Sequence, residues 1–338
     1  MRKRTRITIL VAAVILVLLV VAVYLRKKAP PEVARLLPES DGIVYLNLRP
    51  LRAATHFDQR QVPHDPDYQK FIDATGIVFE RDLDEAAFAL HRRPDPFGPN
   101  GPVAFSEVFD GRFDGHRLTN YLAGVAASQE KYAGHTIYNV PSDGRTVRVV
   151  LLGYDMVAIS NTPTSEQIHS MIDRYRTAAL PFSGSTLLAQ HYADVPLLSL
   201  AWGVGQIGLP LGQEGGIRIM GIRLPLAVDA TFIASLRWTG SIRLRIEEIA
   251  PTEGAATASA ESIKALVSIF RAAENNLPGS LTDADTAALL NSTKVVHYKD
   301  RAVLTATLPP TLLQRIVSAP EKTHSLPVPS HGSGDGQR

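Results

Sequence analysis

Between residues 7 and 25 the chain reads ITILVAAVILVLLVVAVYL, nineteen residues in which only Thr8 and the hydroxyl of Tyr24 are polar. As a helix this stretch spans ~28 Å, against a bilayer hydrocarbon core of about 30 Å. Helices buried in soluble proteins rarely stay apolar around their whole circumference for that long, so the sequence predicts a transmembrane helix. A cleavable signal peptide would have a shorter apolar run closed by a small-x-small site. Here the run ends Tyr24-Leu25-Arg26-Lys27-Lys28, and an uncleaved signal anchor is expected. No second span follows: the apolar run at 195–201 is too short, and 209–228 is broken by glycine, proline, Arg218 and Arg223.

The flanks of the anchor reorganise the charge of the whole protein. Arg2, Lys3, Arg4, Arg6, Arg26, Lys27 and Lys28 lie in a stretch without a single acid. Of 35 basic residues against 33 acidic over 338 residues, these seven account for the formal net charge of +2, and residues 29–338 keep 28 basic against 33 acidic, a net −5. A nucleic-acid binder carries its basic excess on the folded domain, so no nucleic-acid partner is expected. The slightly larger basic cluster before the helix predicts a cytoplasmic N-terminus, with the body on the periplasmic or extracellular side of the cell inner membrane. Absence of cysteine removes disulfides, thiol nucleophiles, iron–sulfur clusters, thiolate zinc sites and lipoprotein acylation.

Beyond the anchor, the organisation predicted is a cytoplasmic tail over 1–6, the span over 7–25, a Pro-containing linker over 26–36, a first α+β domain over 37–180, a second over 181–318 and a disordered Pro/Ser/Gly/His tail over 319–338. Strands are predicted at 43–48 (closed by Arg49-Pro50), 103–109, 136–140, 146–152, 156–160 and 196–204. Two hairpins follow, 231–238 with 241–249 and 294–298 with 301–308. Ile242, Leu244 and Ile246 alternate with Arg243, Arg245 and Glu247, which predicts a half-solvated strand. Helices are predicted at 68–74, at 115–127, after a capping box of Thr164 with Gln167, around Ile263, Leu266, Val267 and Phe270, and at 311–317. Residues 85–90 satisfy both helix propensity and strand pairing. Strands joined by short turns, with helices in no regular alternation, give α+β with mainly antiparallel sheet and packed helices. Leu37-Pro38 and Val195-Pro196 each precede a strand, so a duplication into two similar halves stands beside chance recurrence of strand–helix units.

The stretches LLPESDGIVYLNLRPLR (36–52), TGIVFERDLDEAAFAL (75–90), FDGRFDGHRLTNYL (109–122) and VVHYKDRAVLTATLPPTLLQRIV (295–317), placed after a basic tail and one span, resemble uncharacterised single-span, signal-anchored envelope proteins of bacteria with a domain of unknown function. The resemblance implies an α+β architecture and a strand at 85–90, and carries no activity or site residues.

No motif nominates a catalytic, cofactor or metal site. Gly203-Val204-Gly205-Gln206-Ile207-Gly208 follows an apolar strand and Asp229 lies downstream, as in a dinucleotide fingerprint, but Leu209-Pro210-Leu211-Gly212 cannot open the helix that would meet a pyrophosphate. None of the ten histidines pairs at i, i+3 or i, i+4. Asp82, Asp84 and Glu85 read as a solvated turn. They would support a cysteine-independent hydrolase only by converging in a cleft with a histidine such as His116 or His297. Trp202 and Trp238 are both expected in the core, Trp202 beside the junction of the halves where a hydrophobic-ligand pocket would lie. The leading expectation is a membrane-anchored binding or scaffolding protein of the envelope with protein partners there.

Overall fold

The computed structural model describes residues 29–309 and 311, apart from 60–63, 96–97, 99–100, 143, 179–183, 207–217, 220–221, 224–228, 239 and 277–283. The anchor at 7–25, residues 312–317 of the helix expected at 311–317 and the tail at 319–338 lie outside the described residues. Among those described, no helix is long and apolar enough to cross a membrane.

Twelve strands form one sheet in which every neighbouring pair is antiparallel. In chain order they are β1 (Gly42–Asn47), β2 (Leu83–Arg92), β3 (Val103–Gly111), β4 (Ser128–Tyr132), β5 (His135–Ser142), β6 (Arg145–Leu151), β7 (Met156–Ser160), β8 (Ser199–Gln206), β9 (Thr231–Trp238), β10 (Ile242–Ile249), β11 (Lys294–Tyr298) and β12 (Arg301–Leu308). Their spatial order is β11-β12-β10-β9-β8-β1-β2-β3-β7-β6-β5-β4. The α+β class with mainly antiparallel sheet therefore holds. Residues on the two sides of position 180 join directly, because β1 pairs with β2 on one edge and β8 on the other. The two sides meet through β1 and β8, their first strands.

The helices are α1 (Glu32–Arg35), α2 (Leu48–Thr55), α3 (Pro66–Thr75), α4 (Phe79–Asp82), α5 (Gly115–Val125), α6 (Glu166–Arg176), α7 (Thr186–His191), α8 (Glu253–Asn276) and α9 (Ala284–Ser292). On one face of the sheet Ile43, Tyr45, Ala87, Val108, Ile137, Val150, Ala158, Trp202, Val204 and Ile233 are buried against Val33, Leu36, Leu37, Ile168, Met171, Ile172 and Leu188. That face is thus roofed by α1, α6 and α7. On the other face Tyr138, Val149 and Val157 meet Leu118 and Leu122 of α5, with Ile77. At the β11 end, α8 and α9 pack on β11 and β12.

Several local expectations change. The first strand ends ahead of Arg49-Pro50 as expected, and an unexpected helix follows at once: Asn47 caps α2 by accepting from the Arg49 N–H at 3.2 Å, and Pro50 falls in the first turn, where its missing N–H is not needed. Residues 85–90 are strand despite their helix propensity, because β2 pairs along its length with both β1 and β3. The polar β4 has no apolar alternation because it is the exposed edge strand. Its turn to β5 runs through Ala133 and Gly134, both at positive φ. Helix α6 starts one residue after the expected cap: Ser165 is the N-cap and makes no side-chain cap bond, so the Thr164–Gln167 capping box does not form.

Candidate functional site

Register carries a single row of directly opposed residues across the whole sheet. It runs Lys294, Thr305, Arg245, Ser235, Trp202, Tyr45, Ala87, Val108, Ala158, Val150, Ile137 and Glu130. Directly opposed residues share a face. One face is therefore apolar from Trp202 to Ile137, under α1, α6 and α7, and becomes polar and basic from Ser235 to Lys294. A second row beside it reads Arg237, Arg243 and Thr307.

These residues line a cleft of about 390 Å³: Ser235 and Arg237 from β9, Arg243 and Arg245 from β10, Thr305 and Thr307 from β12, with Lys294, Ser292 and Pro196 at its border. The volume lies in the range of small-molecule sites. No carboxylate is among the lining residues. The strand β10 is not half-solvated in the way its alternation suggests, because Glu247 and Glu248 are 2% and 1% exposed. The Glu247 carboxylate accepts from Arg245 Nη2 at 2.6 Å and Nε at 3.1 Å, and from Arg301 Nη1 at 2.5 Å. Arg301 also meets Asp194 at 3.1 Å. Glu248 accepts from the Ser259 hydroxyl of α8 at 3.0 Å. Burial of Glu247 is offset by its guanidinium donors, and the Ser259 hydroxyl satisfies one oxygen of Glu248. Arg245 is thereby held over the cleft, while Arg237, Arg243 and Lys294 make no ion pair among the described residues.

The residues weighed for hydrolysis sit elsewhere. Asp82 is not a solvated turn residue, being 6% exposed. It accepts from the Val78 N–H at 2.9 Å and from Arg81 at 2.6 and 2.8 Å, and its carboxyl is held below the usual range by those partners against the effect of burial. Asp84 is clasped by Arg49 and Arg52, each at 3.0 Å. Tyr45, on the neighbouring strand, has its hydroxyl pushed up by burial and by Glu85. Neither named histidine joins them: His116 opens α5, where it bonds Asn120, and His297 lies on β11 at the far end of the sheet.

A pairing the sequence did not signal is His91 Nε2 with Ser106 Oγ at 2.9 Å, continued to Ser160 Oγ at 3.3 Å and Thr162 Oγ1 at 2.9 Å. This has the spacing of a nucleophile and its base, and burial pushes the His91 ring toward the neutral form. Ser106 is 0% exposed, so in this arrangement no substrate reaches its hydroxyl. The chain of hydroxyls satisfies buried polar groups between β2, β3 and β7.

Gly203 and Gly205 are strand residues. Both lie within β8 and pair with β1 and β9, so the dinucleotide pattern is part of an antiparallel ladder, and Gly208 lies outside the described residues. Trp202 is buried, 5.4 Å from Tyr45 and 5.4 Å from Tyr192 between ring centroids. Those rings fill the place where the two sides of the chain meet. Trp238 is 42% exposed rather than core, since it stands at the end of β9 on the row with Ile242 and Leu308.

No family model matches the chain, and no curated protein matches it. Among solved structures, crystal form III of TP0453 is similar at 12% identity and a TM-score of 0.47, over 86% of this chain and 99% of that one. Crystal form IV gives the same identity and score over 86% and 97%. A likeness this slight says nothing of function.

Proposed function

We propose that the protein is a single-span, signal-anchored binding protein of the bacterial envelope, with its N-terminus in the cytoplasm and its α+β body outside. The observation that carries this reading is the apolar run at 7–25 between two basic clusters, followed by a body of opposite net charge. A charged run on both sides of one span fixes the anchor, and the heavier N-terminal cluster sets its direction. Binding, rather than hydrolysis, is supported by where the accessible polar groups lie. The Ser106 hydroxyl is sealed inside the sheet, and Asp82 and Asp84 are taken up by arginines, whereas the cleft presents cations that make no ion pair among the described residues. The filled junction around Trp202 and the polar lining of the cleft favour a charged ligand over the hydrophobic one that the two-halves reading suggests.

A reporter enzyme that is active only outside the cytoplasm, fused after Pro320, is expected to be active. A stably expressed but inactive fusion would reverse the topology. Crosslinking in intact membranes, followed by identification of what is attached, tests the expectation of envelope protein partners.

A further inference from the structure

We infer that the basic cleft between β9, β10, β12 and β11 is a binding site for a phosphate monoester. The inference deepens the reading of the body as a binding module, and it does not depend on which side of the membrane the body occupies.

The first observation is the placement of charge. Arg237 and Arg243 are direct partners across β9 and β10, and like charges in that position repel. Lys294 lies on the edge strand beside Thr305, itself opposite Arg245, so four cations border one hollow. A sheet face that elsewhere carries alanine, valine and aromatic side chains has here kept arginines directly opposed with no acid between them. An anion held between them would relieve that repulsion.

The second observation is the number and kind of donors. Arg245 is committed to Glu247, which leaves Arg237, Arg243 and Lys294 as three free cations among the described residues. A carboxylate carries one charge and two acceptor oxygens. A phosphate monoester carries about −1.5 to −2 near neutral pH and three strong acceptor oxygens, a closer match to two guanidinium forks and an ammonium. The hydroxyls of Ser235, Thr305 and Thr307 lie in the same lining and can donate to the remaining lone pairs. At about 390 Å³ the cleft exceeds what inorganic phosphate fills, so it has room for the group esterified to the phosphate.

The monoester could be a soluble metabolite or the head of a membrane lipid, and the test separates the two. The full-length protein in neutral detergent micelles is titrated calorimetrically at low ionic strength with glycerol 3-phosphate, with phosphatidic acid in mixed micelles, and with acetate. Saturable one-to-one binding of at least one phosphate probe is expected, at least about tenfold tighter than acetate. The Arg237→Gln, Arg243→Gln double variant should lose at least about tenfold in affinity, and Lys294→Gln severalfold. Tighter binding of phosphatidic acid assigns the lipid source, tighter or equal binding of glycerol 3-phosphate the soluble one, and both support the site. The double variant should unfold at or above the wild-type temperature, since a repulsive pair is removed. If it does not fold, Lys294→Gln on the exposed edge strand carries the test. Failure of both phosphate probes to saturate, acetate binding as tight as phosphate, or variants that bind like the wild type would each overturn the assignment. A failed titration leaves the reporter-fusion result standing, and an inactive fusion leaves the titration standing.

Discussion

Asp110 offers a prediction whose size can be worked through from its surroundings. It lies on β3 opposite Glu85 of β2 and Met156 of β7, with its side chain 16% exposed. Burial, and then the nearby charges of Asp155 and Glu85, push its carboxyl from the ordinary 3.8 up to about 6, with Arg49 opposing from 3.3 Å and Asp84 adding to the rise. A carboxyl raised in the folded state binds more protons there than in the unfolded chain between those two values. The native protein is therefore favoured below about 4 and progressively disfavoured as pH rises through about 6. The interval corresponds to about 3 kcal/mol at neutral pH, a ceiling because part of the group still meets solvent and unfolded chains retain some structure. Asp110→Asn removes the titration while keeping an oxygen to accept from Arg49. The variant should be more stable than the wild type by about 1–3 kcal/mol at pH 7.5 and no more stable near pH 3, where the wild-type group is mostly protonated in both states. Urea unfolding of the full chain in detergent, followed by circular dichroism at the two pH values, measures the difference. Equal stability at pH 7.5, or the same gain at both, would refute the account of Asp110 as a desolvated carboxylate among like charges.

Two further substitutions test the packing. A Cβ placed on Gly111 would lie 2.3 Å from the Asp82 carbonyl oxygen, which also accepts from the Arg112 N–H at 2.9 Å. Gly111→Ala should therefore cost about 1–3 kcal/mol, and an unchanged unfolding temperature would show that β3 and α4 part more easily than their spacing implies. Trp202→Ala removes the ring stacked on Tyr45 and met edge-on by Tyr192 and should cost about 3–5 kcal/mol, whereas Trp238→Ala, at 42% exposure, should cost about 1 kcal/mol or less. Thermal unfolding of both variants checks the contrast, and similar losses would contradict it.

The strands were the most readable part of the chain. Apolar positions at 43–48, 146–152, 231–238 and 301–308 appear as β1, β6, β9 and β12, and short turns joined the pairs that the sheet shows joined. Helix propensity misled at 85–90, where two neighbouring strands decide the conformation, and alternation missed β4, whose half-buried face carries the polar Glu130 and Tyr132 against His169. The candidate site was not legible. Arg237, Arg243, Arg245 and Lys294 come from three strands, and the alternation of arginines with Ile242, Leu244 and Ile246 reads as an ordinary solvent face. The burial of Glu247 and Glu248 was equally hidden, because it depends on Arg301 and Ser259, which lie 54 and 11 residues away from their partners.

What the sequence determined by itself was local: a membrane-length apolar run between basic clusters, a body of net negative charge, an antiparallel α+β class and the removal of all cysteine chemistry. Each depends on residues close together in the chain or on simple counts. The tertiary structure decided everything that depends on register. Pairing β1 with β8 joined the strands on either side of position 180 into one sheet and stacked Tyr45 against Trp202. Pairing β9, β10, β12 and β11 lined up cations from distant strands on one face beyond the reach of α1, α6 and α7. A shift of one residue in any of those pairings would have turned the same side chains to the opposite face, which is why composition and spacing alone could not assemble the cleft.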